Sequence, residues 1–269
     1  MPTEVAMTSR ILFSFFITVC LILPPFAAIA KTTYQDPVTG IEFVLIPGGT
    51  FIMGDVHNKG YDIERPKHKV SLSEFYMSTT EITFAQYDIF CETTNRAKPD
   101  DNGWGRGNRP VVNVSWTDAV EFSIWLSEQT GKRIRPPSEA QWEYAALGGR
   151  NTEYWWGDQA GQNNANCRNC GSKWSGKMPA PVGSFAANPY GLFDMHGNVY
   201  EWCFDARHDT YEGAPDDGSP WFGQHTTEEK IIRSGSYLYN AFESRARARS
   251  WDATDSRNRD YGIRLVMEP

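Results

Sequence analysis

Cysteine is scarce in this chain: five in 269 residues, one of them inside the N-terminal apolar run. A disulfide-dense small scaffold is thereby excluded. Histidine is equally sparse, and His57, His68, His196, His208 and His225 show no facial-triad spacing for a non-haem iron site. Net positive charge is missing as well. The formal charge of −7 excludes the basic footprint of a general nucleic-acid binder. Internal repeats and low-complexity linkers are absent, so residues 31–269 read as one continuous domain. Past residue 30 no stretch is long and apolar enough to span a membrane.

What the chain does have begins with that apolar run. Arg10 precedes ILFSFFITVCLILPPFAAIA, and Ala28 and Ala30 give an A-x-A exit before Lys31. Residues 1–30 are therefore predicted to be a secretory signal peptide, and the mature protein to be secreted or periplasmic, free of the membrane after cleavage. Cys91, Cys167, Cys170 and Cys203 remain. Cys167 and Cys170 have zinc-knuckle or redox spacing, but no second Cys pair or Cys/His pair completes a four-ligand site. In an oxidising compartment they are expected to form a local disulfide, or one linking this loop to Cys203. Cys91 falls on a helical segment and reads as a buried free thiol.

Aromatics make up 14% of the chain, beside 23 Gly and 16 Pro, which suggests a loop-rich fold pinned by large side chains. Ile41–Gly54 reads as two short strands around a Pro-Gly-Gly turn, and His68–Met77 as one alternating strand. Thr83, Ser115 and Ser138 each stand at the N-cap of a predicted helix, the second closed by Gly131 and the third opened by a capping box. From Gly149 to Asp194 only loop signals occur. So long an irregular stretch needs something to fix it, and bound metal is one candidate. Strands are predicted around Lys230–Tyr237 and Tyr261–Val266.

Between these last two lies RSGSYLYNAFESRARARS (Arg233–Ser250). Its second half alternates strictly, with Ala246 and Ala248 on one side and Arg245, Arg247 and Arg249 on the other. That is strand periodicity, with guanidinium groups along one face. The arginines are expected to pair with acidic loops such as Asp216-Asp217, or to hold a carboxylate or phosphate.

The most specific run is GLFDMHGNVYEW (Gly191–Trp202), accompanied in order by FVLIPGGTFIMGD, RPVVNVSWTDAVEFSIWL, IRPPSEAQWEYAALGG, APVGSFAANPYGL, RSGSY and DYGIRL. Together these resemble the formylglycine-generating enzyme, or sulfatase-modifying factor, family over nearly all of residues 31–269. The resemblance implies an α+β fold: a single irregular, loop-rich domain related to the C-type lectin fold. It also implies a calcium ion held by the Asp194 side chain, the Gly197 and Val199 carbonyls and the Glu201 carboxylate, hard oxygen donors that suit Ca²⁺. A second family calcium site is matched by Asn166 but has no carboxylate at Trp174-Ser175-Gly176.

The resemblance sharpens the catalytic question. The family's oxidases hold copper with two cysteine thiolates spaced C-x4-C just after the Gly-Ser-Tyr turn, as soft donors for Cu(I) must be. Here those positions are Tyr239 and Ser244. Copper-dependent cysteine oxidation is therefore not expected. The pocket that remains would be lined by Ser236, Tyr239, Ser244, Arg245 and Trp251. The family fold displays its C-terminal third, and relatives among diversity-generating retroelement proteins vary residues there. The matching surface comprises Tyr239, Asn240, Ala241, Ser250, Asp252, Ala253, Arg259, Asp260 and Tyr261, residue types suited to adaptable recognition of a protein or small ligand. Three roles follow from the resemblance: a ligand-binding or accessory protein, an oxidative maturation enzyme without the thiol pair (as in pyoverdine maturation), or a retroelement-diversified binding protein.

Overall fold

A computed structural model describes residues 32–223 and 228–269, with Met1 and Thr3. The predicted signal peptide, apart from those two residues, and His225 lie outside the described residues. Among the described residues no helix is long and apolar enough to cross a membrane.

The Pro47-Gly48 turn separates two strands that go to different sheets. β1 (Thr33–Gln35) pairs antiparallel with β2 (Glu42–Ile46), whereas β3 (Gly49–Met53) turns away to form a hairpin with β4 (His68–Leu72). Gly48 permits this departure, because a Cβ there would sit 2.9 Å from the Leu72 carbonyl oxygen. The single strand expected over His68–Met77 is two. It breaks at Ser73-Glu74 so that β5 (Phe75–Ser78) can pair with β2.

The three helices start where their caps predict. α1 (Phe84–Thr94), α2 (Trp116–Thr130) and α3 (Glu139–Leu147) are each opened by a hydroxyl accepting the N3 amide, reciprocated by Gln86, Asp118 and Gln141. Such caps contribute about 1 kcal/mol each. Gly131 and Gly148 close α2 and α3 in the left-handed region. β6 (Ile134–Arg135) and β11 (Val266–Met267) complete a five-stranded sheet of order β1-β2-β5-β11-β6. A second sheet of order β10-β7-β8-β9 holds β7 (Tyr200–Ala206), β8 (Glu229–Arg233), β9 (Ser250–Ala253) and β10 (Tyr261–Gly262). Sequence reading missed β7, which continues directly from the Gly197-Asn198-Val199 turn. The mixed α+β, loop-rich character is as expected.

Two apolar clusters form the core. One joins Phe84, Phe90, Phe122 and Leu126 of the first two helices to Trp202 and Ile263, and the other joins Val44, Val70 and Met77 to Trp142, Ala146 and Ile231. A buried side chain of this size contributes about 1.5–3 kcal/mol.

Residues 149–199 contain neither helix nor strand. Polar side chains pin this stretch. Asn198 donates to the Glu81 carboxylate (2.9 Å) and the Ala180 carbonyl (3.3 Å), and its own carbonyl accepts from Ala180 N and Asn166. Asn188 bridges Ala145, Tyr190 and Leu192. Cys167 and Cys170 form the local disulfide, leaving Cys91 and Cys203 as buried free thiols.

The arginine segment corrects the expectation of a strand. Ala241–Ser244 form a 3-10 turn, residues 245–249 are irregular, and β9 starts only at Ser250. The cause is Arg233. Its guanidinium donates to the carbonyls of Ala246 (3.0 Å), Arg247 (3.1 Å) and Ala248 (2.8 Å), so it fills the acceptors that a neighbouring strand would use. Nor do the three arginines face solvent or reach Asp216-Asp217. All are buried. Arg245 pairs with Glu64 (2.7 Å) and Glu153 (3.5 Å), and Arg249 pairs with Glu139 (2.7 Å). Arg247 donates to the Thr152 carbonyl (2.9 Å) and the Asn151 side chain (2.8 Å).

Candidate functional site

The Asp194–Glu201 turn sits on a buried charge cluster. Asp194 and Asn198 both take positive φ, and Ser234 (φ 83) is held beside them by its hydroxyl donating to the Gly197 carbonyl (2.8 Å). Glu201 lies at the start of β7. Arg264 donates to both its oxygens (2.8–3.0 Å), and the Trp142 indole donates to Oε2 (2.6 Å). Asp194 accepts Gly183 N–H on Oδ2 (2.6 Å), while its Oδ1 has no partner. Glu81 Oε2, wholly buried, has none either. Burial, then the neighbouring Asp194 charge, pushes the Glu81 carboxyl well above the usual range. Arg264 is thus one buried cation among three carboxylates.

The two unpartnered oxygens, on Asp194 and Glu81, suit either a hard cation or a proton shared between the two carboxyls. Among the described residues no three acidic, His or Cys side chains converge on a metal position. Backbone carbonyls such as Gly197 and Val199 would therefore have to supply part of any cage. At the second implied site, Asn166 Oδ1 accepts from Ser172 (2.7 Å), and its amide donates to Met178 O and Asn198, so its side chain is satisfied within the protein.

His196, between Asp194 and Gly197, is buried. Its Nδ1–H donates to the Ser244 carbonyl (2.8 Å), and Nε2 accepts Trp155 N–H (3.3 Å), which fixes the neutral tautomer. Desolvation takes its pKa down to about 4. It holds Ser244 in place as a structural group.

The Gly-Ser-Tyr pocket divides into parts. Ser236 donates to Asp260 Oδ2 (2.7 Å), both side chains being buried, and burial raises the Asp260 carboxyl. Tyr239, 45% exposed, packs edge-on against Tyr200 (5.4 Å), which meets Tyr261 (5.9 Å). Tyr261 donates to Asp252 Oδ2 (2.6 Å), and Ser256 donates to Oδ1 (2.8 Å). Exposed Tyr239, Asn240 and Arg259 therefore stand over a rigid layer of Asp252, Asp260 and Tyr261. Ala241 is half-buried, and its carbonyl accepts from the Tyr154 hydroxyl (2.7 Å). Ser250 and Ala253, both half-buried, are the end residues of β9.

The other pocket residues lie elsewhere in the contact network. Ser244 has no solvent exposure, its hydroxyl has no hydrogen-bond partner, and a Cβ on Gly235 would sit 2.7 Å from that hydroxyl. Arg245 reaches back to Glu64, with its guanidinium 3.8 Å from the Phe242 ring centre. Trp251 packs on the second core cluster beneath Arg207 (3.9 Å).

Sequence reasoning missed the buried ion network of Glu64, Glu81, Glu139, Glu143, Arg233 and Arg264. One signal was legible: Arg264 stands between Ile263 and Leu265 in DYGIRL, a charge inside an apolar run.

Residues 29–269 match the sulfatase-modifying factor enzyme 1-like domain. The chain is 32% identical to the formylglycine-generating enzyme of Streptomyces coelicolor, covering 84% of this chain and 88% of the relative. It is 28% identical to the mouse formylglycine-generating enzyme, covering 88% and 78%. Among solved structures, PvdO from Pseudomonas aeruginosa superposes with a TM-score of 0.80 at 32% identity, covering 88% of this chain and 98% of that one. Treponema denticola variable protein 1 shares the fold, with a TM-score of 0.71 at 24% identity over 90% of this chain and 100% of that one. A domain match over nearly the whole described chain, together with the identity to the Streptomyces enzyme, establishes that the protein belongs to the formylglycine-generating enzyme (sulfatase-modifying factor) family.

Proposed function

We propose that this family member is a secreted or periplasmic ligand-binding or accessory (maturation) protein that does not carry out copper-dependent cysteine oxidation. The observation that carries the reading is the pair at positions 239 and 244: a solvent-facing phenol and a sealed aliphatic hydroxyl. Neither is a soft donor for monovalent copper. The remaining free thiols, Cys91 and Cys203, are buried, and desolvation raises both above the ordinary thiol range, against thiolate formation.

Binding is supported by the surface around Tyr239. Its ring offers apolar area at low entropy cost, Asn240 and Arg259 add hydrogen bonding, and the Ser236–Asp260 and Tyr261–Asp252 bonds hold the layer beneath. The ligand reading thus centres on Tyr239, Asn240, Ala241, Asp252, Arg259, Asp260 and Tyr261. Calcium, in this reading, is structural: Asp194, whose Oδ1 is unpartnered, and Glu201 with the Gly197 and Val199 carbonyls would hold it and fix the turn under β7, Glu201 giving up bonds from Arg264 or Trp142 to do so. The extracytoplasmic location rests on the predicted signal peptide.

The test is to incubate the purified, copper-supplemented mature protein with a cysteine-containing peptide in air. Peptide mass and oxygen consumption are then followed. An unchanged thiol supports the reading; conversion of the thiol to an aldehyde would overturn it.

A further inference from the structure

A cavity of about 750 Å³ lies away from the Gly-Ser-Tyr pocket, between the β3–β4 hairpin and the end of α3. Four cations, Lys67, Lys69, Arg150 and Arg247, line it, with His68 beside them. No carboxylate is among its lining residues. Among the described residues none of these four Lys and Arg side chains makes an ion pair. What sets the cavity apart is that four such cations gather at one place in a chain of net charge −7.

Two buried nitrogens in that lining have no partner. Arg247, 1% exposed, is held by its bonds to Thr152 O and Asn151 Oδ1, and its Nε is without an acceptor. His68 Nε2 is buried and likewise unpartnered, while Nδ1 lies 3.3 Å from the Pro66 carbonyl. The unused Arg247 Nε–H donor costs about 1–3 kcal/mol unless something accepts from it, whereas His68 Nε2, with Nδ1–H donating to Pro66 O, is an unused acceptor. The lining also includes three aromatic rings. Phe51, Tyr144 and Tyr190 follow one another at centroid separations of 5.4 and 5.8 Å, and Tyr144 is fixed by donating to Pro47 O (3.0 Å).

We infer that this cavity is a binding site for a small anionic molecule, an oxyanion (phosphate, sulfate or carboxylate) attached to a flat or aromatic body. The oxyanion would take Lys67, Lys69 and Arg150, where charge-assisted bonds are strongest, with the buried Arg247 charge behind them. The flat body would pack on the Phe51, Tyr144 and Tyr190 rings. The volume is that of a small-molecule site. The inference stands independently of the reading at Tyr239.

Calorimetry on the full mature protein tests it, with phenyl phosphate, inorganic phosphate and phenol as probes. Phenyl phosphate is expected to bind saturably at one site, more tightly than inorganic phosphate, with phenol showing no saturable heat. Lys69→Ala with Arg150→Ala, two exposed side chains whose loss should leave the melting curve unchanged, should weaken phenyl phosphate by about tenfold or more. Lys132→Ala, a cation near Tyr34, should leave it unchanged. No saturable binding of phenyl phosphate, or equal affinity in the Lys69/Arg150 variant, overturns the inference. Inorganic phosphate binding as tightly as phenyl phosphate would overturn its aromatic half.

Discussion

Replacing Arg245 by Met asks whether the arginine row serves ligands or the fold. In the native protein Arg245 spans Glu64 with two charge-assisted bonds (2.7 and 3.1 Å), reaches Glu153 at 3.5 Å, and donates from Nε to Phe242 O at 2.9 Å. Glu64 has no exposure. Without the guanidinium it keeps the Tyr61 amide at 3.1 Å and a distant attraction to Arg233. Removing one partner of a buried pair costs about 3–5 kcal/mol, chiefly because the other charge stays buried. For a domain of this size each kcal/mol shifts the melting temperature by about 2–4 °C, so Arg245→Met should melt on the order of 10 °C lower. Adding Glu64→Gln removes the stranded charge, and the double variant should recover at least about 1 kcal/mol. Urea unfolding with matched thermal melts measures both. A single variant within about 1 kcal/mol of the parent would refute the reasoning and return Arg245 to the list of ligand-facing cations.

Asp205 gives a pH test. Burial, reinforced by Glu139, raises its carboxyl to about 7 although two backbone amides donate to it. The folded state then keeps a proton that the unfolded chain releases near pH 4. Stability attributable to this group falls as pH rises from about 4 to 7, and Asp205→Asn should flatten that part of a stability–pH curve. An unchanged slope would show that Asp205 is ionised in the fold. If calcium occupies the Asp194 turn, a hundredfold excess over its dissociation constant adds about 2.7 kcal/mol. Chelation should therefore lower the melting temperature of the parent and leave Asp194→Ala unmoved; equal melts with and without chelator would count against the ion.

Local structure was legible wherever a short motif carries its own physics. The caps at Thr83, Ser115 and Ser138 and the Gly131 stop each depend on residues a few positions apart, whereas the sequence left the Cys167–Cys170 bridge open against a link to Cys203. The arginine segment misled for the opposite reason. Its alternation is real, yet whether it becomes a strand depends on Arg233, whose guanidinium takes the carbonyls from thirteen to fifteen residues away in sequence. Arg249 and Arg245 find their acids at separations of 110 and 181 residues. No periodicity encodes such partners. The same holds for the cationic cavity, which joins Lys67 and Lys69 to Arg150 and Arg247 only after the β3–β4 hairpin folds against the end of α3. At the Gly-Ser-Tyr turn the sequence was informative about donor chemistry but silent about depth: that Tyr239 is exposed while Ser244 is sealed follows from the 3-10 turn between them.

The most direct test of the central claim is the copper content of the mature protein after equilibration with Cu(I) and removal of loosely bound metal, paired with mass analysis of a cysteine peptide incubated with it in air. Tyr239 and Ser244 predict no copper retained at the Gly-Ser-Tyr pocket and an intact thiol. One tightly held copper per chain, with aldehyde appearing on the peptide, would contradict the account.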